Sequence, residues 1–157
     1  MVGKKKVFAL GSLLSILSGR SIILYNKYIK DVEDLEKLYS MTPWDIGIVT
    51  FDNVKARRIA LDFSIKRDIP TLFAGVSLNY AYVDWERNIK LPQSDEEIED
   101  EIRRIRDICT RLEFRPLGSL VASLVMVSIV EYITSGRRIS HIASIERGII
   151  KISSFEV

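Results

Sequence analysis

Residues 51 to 53, Phe-Asp-Asn, close an apolar run and open an amphipathic helical pattern. Ligands of open parallel sheets collect at the carboxyl ends of the strands, so side chains just past a strand are placed to do chemistry. Asp52 there can hold a metal that bridges phosphates, while Asn53 can satisfy the first free amides of the helix. Both can equally be caps, a role that favours Asp and Asn whatever the chemistry. Asp84 and Glu86 alternate along "YVDWER", so both can face one side of a strand end. Joined by Asp52 they would form a three-carboxylate metal site suited to phosphodiester cleavage; the plainer reading is a solvated strand edge. Cys109 falls on a stripe of isoleucines and reads as a small core hydrophobe. His141, the sole histidine, has no second imidazole with which to make a ligand pair. No Gly-x-Ser-x-Gly turn surrounds any serine.

The elements that must position these groups follow from apolar spacing. Val7 to Leu10 reads as a short strand, followed by a brief helical stretch that stops at Gly19. Ile22 to Tyr25 reads as a second strand. "KDVEDLEKLYS" sets Val32, Leu35 and Leu38 on one helical stripe, with Asp31 as its cap. "WDIGIVTF" is apolar almost throughout, as burial on both sheet faces requires, and the helix after it carries Ala56, Ile59, Ala60 and Phe63. "IPTLFAGV" and "YAYVDW" read as further strands. "SDEEIEDEIRRIRDICTRL" opens with Ser94 and Glu97 in capping-box register and reads as an amphipathic surface helix. Leu117 to Ser135 reads as a helix buried on most sides, and the tail as two strands turning at Arg147 and Gly148.

The 157 residues suit one domain, 1–157, with a real core. Twenty-three Lys and Arg against 21 Asp and Glu leave a net charge of +2, no basis for nucleic-acid binding. One cysteine excludes an internal disulfide framework or four-thiolate zinc site, and a reducing, cytoplasmic setting is expected. The N-terminal "KKKVFALGSLLSILSG" lacks a clear cleavage site, and serines interrupt the charge-free stretch from Pro116 to Val130, so no membrane segment is expected. Abundant Ile, Lys, Arg and Glu would suit a heat-adapted host.

The order Asp52-Asn53, Ala56-Arg57, Ala60-Leu61, Ile69-Pro70, Ala74-Gly75-Val76 and Tyr82-Val83 resembles the middle of ThiF/MoeB/HesA-type proteins, the ubiquitin-activating-enzyme superfamily. "RPLGSLVASLVMVSIVEYITSGRRI" is similar to that family's apolar helix, and "SIERGIIKISSF" to its final strands. The resemblance runs from Trp44 onward with a gap around the acidic helix. It implies a protein that binds ATP and magnesium and adenylates the C-terminal glycine of a ubiquitin-like or sulfur-carrier protein, usually as a dimer. It matches Asp52 to the magnesium-associated aspartate and Arg57 to an arginine of the same helix.

The N-terminal third departs from that pattern. A Gly-rich turn lets backbone amides approach phosphates that a β-carbon would exclude. Here the turn reads "ALGSLLSIL": Gly11 matches the first family glycine, but Leu13, Leu14 and Ile16 stand where the others belong. The second strand ends in Tyr25, Asn26 and Lys27 rather than an acidic ribose ligand, leaving Asn26 as the nearest candidate for a hydroxyl. The segment from Lys27 to Trp44 is too short for the family's arginine, glutamine and catalytic lysine.

The expected fold is therefore a three-layer α/β sandwich with a mostly parallel, Rossmann-like sheet, a C-terminal helix and short antiparallel strands. The expected role is a non-catalytic partner or binding module without cofactor, pairing with itself or with an active paralogue. One alternative is an active ATP-dependent adenylyltransferase for a ubiquitin-like protein; another is a metal-dependent DNA nuclease using Asp52, Asp84 and Glu86.

Overall fold

The computed structural model describes residues 5–76, 80–85, 115–146 and 149–157. Its elements are helices α1 (Lys6–Ser18), α2 (Val32–Met41), α3 (Val54–Arg67) and α4 (Arg115–Ser135), with strands β1 (Gly47–Val49), β2 (Thr71–Val76), β3 (Tyr80–Trp85), β4 (Ile139–Glu146) and β5 (Ile149–Glu156). The strands form one sheet in the order β1-β2-β3-β4-β5. The acidic segment with Ser94, Glu97 and Cys109, the residue Glu86, and the turn at Arg147 and Gly148 lie outside the described residues.

Alternation along β2 builds two cores. Leu72 and Ala74 point to one face, where Val83, Trp85 and Ala143 meet Leu117, Val121, Leu124 and Val125 of α4. Phe73 points to the other face and packs with Val49, with Ile59, Ala60 and Phe63 of α3, and with Leu35 of α2. Tyr39, Trp44 and Phe63 add an aromatic cluster there, with ring centroids 4.9 to 5.8 Å apart. Asp31 caps α2 as its position implied, its carboxylate accepting from the amide of Asp34 at 3.0 Å.

Four expectations are corrected. The sheet is mixed rather than mostly parallel, since only β1 and β2 run parallel and every other pair is antiparallel. Between β2 and β3 the reason is chain length: a parallel crossover needs a dozen residues or more, and only three separate Val76 from Tyr80. Val7 to Leu10 is helical, because apolar residues continue past Gly11 to Leu17 and make a run of helix length. With those residues in α1, Ile22 to Tyr25 has no strand to pair with and runs as coil. Finally, α4 is buried along one stripe, leaving Met126, Val127, Val130 and Ile133 on an open side.

Candidate functional site

The β1–α3 corner holds Asp52, Asn53 and Arg57. β1 carries the chain to its carboxyl end, and Phe51-Asp52-Asn53 turns it into α3. Asn53 is the cap: its side chain accepts from the amide of Ala56 at 3.1 Å, with extended backbone at φ −108° and ψ 120°. Asp52 is exposed, and no hydrogen bond or ion pair among the described residues engages its carboxylate.

Arg57 sits one turn into α3 and is 7% exposed, rare for a guanidinium unless its donors are satisfied. Its Nε donates to the carbonyl of Phe51 at 2.5 Å, its Nη2 to the carbonyl of Ala74 at 3.0 Å, and its Nη1 to the hydroxyl of Tyr82. The Tyr82 ring lies under the guanidinium, 5.5 Å away at its centroid. Gly75 makes room for the pair, since a β-carbon there would come within 2.9 Å of Arg57 Nη2 and of the Tyr82 hydroxyl. Arg57 thus clamps the corner to β2 and β3 and has a structural role. Its partner Tyr82 was not singled out for such a role, because no local spacing relates it to Arg57.

Gly11 does not lie in a phosphate-binding turn. It is buried within α1, and a β-carbon there would stand 2.2 Å from Leu24 Cδ2. The space beside Gly11 is filled by the Leu24 side chain. Asn26 is exposed in coil beyond that contact. The residues present therefore do not fit a nucleotide held in the manner of a Gly-rich turn.

Of the carboxylates proposed for a metal, Asp52 and Asp84 stand apart. Val49, Phe73 and Asp84 occupy one row across β1, β2 and β3, and Asp52 lies three residues beyond that row. Strand spacing and rise put the Asp52 and Asp84 backbones about 14 Å apart. Asp84 instead accepts from the hydroxyl of buried Ser140 at 2.6 Å, and Glu86 lies outside the described residues. Among the described residues no group of three metal-ligating side chains occurs. His141, 5% exposed, faces α4, with its Nδ1 2.8 Å from the Ser154 hydroxyl, and burial pushes its pKa down.

No family model matches the chain, and no curated protein is significantly similar to it. Solved structures do match. Escherichia coli MccB with MccA-N7isoAsn superposes over 99% of this chain and 49% of its own, with a TM-score of 0.67 and 19% identity. MccB with ATP gives 99% and 48%, a TM-score of 0.63 and 23% identity. PaaA gives 99% and 56%, a TM-score of 0.62 and 18% identity. MccB and PaaA are ThiF/E1-like adenylating enzymes. The chain has a ThiF-like fold, and it spans about half the length of the solved proteins it matches.

Proposed function

We propose that this chain is a ThiF-like binding partner without catalytic activity, related in fold to enzymes that activate ubiquitin-like or sulfur-carrier proteins. The observation that carries the reading is Gly11 inside α1, packed on Leu24 where an adenylating relative needs an open turn. A continuous helix of branched side chains there presents no open turn of main-chain amides to a triphosphate. The β1–α3 corner is kept for a structural reason, because Asn53, Arg57, Gly75 and Tyr82 hold three strands and a helix together.

A partner role also suits the apolar surface. Met126, Val127, Val130 and Ile133 on α4 and Ile149, Ile150, Ile152 and Phe155 on β5 are exposed. Such surface is expected to be covered by a second copy or by an active paralogue. A ubiquitin-like or sulfur-carrier protein is the expected client of the assembled pair, and the setting is cytoplasmic.

Asp52 supports one competing reading, an active adenylyltransferase, since its carboxylate is open at the strand end where magnesium would be needed. Calorimetric titration with ATP and magnesium separates the two. The non-catalytic reading expects no saturable binding by the native chain or by Asp52→Ala. Saturable binding that Asp52→Ala abolishes would establish the competitor.

A further inference from the structure

A cleft of about 830 Å³ opens at the other end of α3, bounded by the second half of α2, the last turn of α3 and the coil at Tyr25 to Lys27. α3 is 14 residues long, which puts the cleft about 21 Å from the Asp52 corner. Four cations line it, Lys27, Lys37, Lys66 and Arg67, against one carboxylate, Glu36. The lining thus carries a net charge of +3, more than the +2 of the whole chain.

Half of this charge has an internal explanation. Lys66 and Arg67 occupy the last turn of α3, where cations offset the helix dipole, and both engage Glu36, Lys66 at 3.0 Å. They hold the Glu36 carboxyl below its ordinary pKa. Neither explanation reaches the other two. Lys27 is on no helix, and Lys37 lies before the last turn of α2. Among the described residues neither forms an ion pair. Lys27 has only the face of Tyr25, 5.7 Å from its ammonium. Like charges gathered around an open cleft repel one another unless an anion joins them.

We propose that this cleft docks an acidic segment of a partner protein. The proposal deepens the reading of the chain as a binding module, by naming a surface and the chemistry of its occupant. A peptide fits better than a single phosphate for three reasons. The volume exceeds one phosphate several-fold and lies within the usual range for ligand pockets. α2 and α3 present carbonyl ends here, Thr42 and Asp68 being their C-caps, so the amide donors that hold a phosphate at a helix N-terminus are missing. The free cations are separate lysines on flexible stems, which suit carboxylates spaced along a chain, and the Arg67 fork is already engaged with Glu36.

The test is fluorescence anisotropy with a short fluorescein-labelled peptide of alternating Glu and Leu, titrated with the full chain. The proposal expects saturable binding that weakens as salt is raised. It expects the Lys27→Glu, Lys37→Glu double variant to bind about ten-fold more weakly, with an unchanged circular dichroism spectrum, since both side chains are on the rim. Equal affinity in the double variant overturns it, as does the lack of saturable binding. A matching Lys-Leu peptide that binds as well removes the charge argument. Complete displacement of the peptide by inorganic phosphate at the same concentration of charge would reassign the cleft to a small anion. These readouts are independent of ATP: nucleotide binding at the Asp52 corner would overturn the proposed function and leave the cleft result standing.

Discussion

A guanidinium buried to 7% exposure has to be matched donor by donor, and Arg57 is, through two carbonyls, a phenol hydroxyl and an aromatic face. Removing it leaves the Phe51 and Ala74 carbonyls and the Tyr82 hydroxyl without their donor in a closed space. Arg57→Ala is expected to lower unfolding stability by about 3 kcal/mol, read as a shift of the urea midpoint at constant slope; a shift within 0.5 kcal/mol would deny the clamp. Gly75→Ala pushes a methyl against the same guanidinium and phenol and is expected to cost about 1 to 3 kcal/mol. The two losses should be less than additive, because both act on one contact. Asn53 as a cap was legible in the sequence, since its bond spans three residues. The Arg57–Tyr82 contact spans twenty-five residues and needs the fold to exist first. Gly11 illustrates the opposite error: a glycine that fits a motif by position serves here to let α1 approach Leu24.

At the level of elements, α2, α3 and α4 were readable because apolar spacing, joined in α2 and α3 by a cap, is a local property. The β2–β3 hairpin was not, although the shortness of the link between them already excluded a crossover. Continuous apolar runs do not declare a strand's direction. The α4 layer carries a pH dependence of its own. His141 stands opposite Val83 and beside Ser154 beneath α4, and its Nε2 and the indole nitrogen of Trp85 have no hydrogen-bond partner among the described residues. Burial holds the folded-state pKa of His141 below the usual imidazole value. Protons therefore bind the unfolded chain first. This contribution is complete above a pH of about 6.5 and is lost as pH falls from there toward the lowered pKa. The shifts at Glu36 and Glu131 act in a separate window, since both carboxyls are held below their ordinary value of 4.5 and matter only beneath it. Urea midpoints are thus expected to fall between pH 7.5 and 5.5, and the non-titrating His141→Gln variant to show a flatter profile. A slope unchanged in that variant would place the proton uptake elsewhere.

For the whole molecule, the departure that removes the first strand also reshapes the surface. β1 becomes an edge, with Ile48 52% exposed. α1, apolar along its length, leaves Ile16 78% and Leu17 73% exposed. Along the open side of α4, Met126, Val127, Val130 and Ile133 recur at spacings of one, three and three, so they form one stripe. Pro116–Ser135 is by itself long and apolar enough to cross a membrane, with a mean hydropathy of 1.8. Its other stripe, however, is the core that meets β2, β3 and β4. A helix committed on one side to a sheet and apolar on the other is suited to a protein neighbour, because a flat apolar stripe is best covered by a matching one. Self-pairing across this stripe predicts a sedimenting species of twice 18.0 kDa at micromolar concentration, with a melting temperature that rises with concentration. Val130→Glu with Ile133→Glu places two carboxylates in the centre of the stripe, where pairing would bring four together across the two-fold axis and desolvate them. That variant is expected to sediment as a monomer with its circular dichroism intact, since both positions point away from the sheet. A native chain already monomeric at those concentrations would instead assign the stripe to a different protein, and mixing with an active paralogue should then move the native chain, and not the variant, into the heavier species.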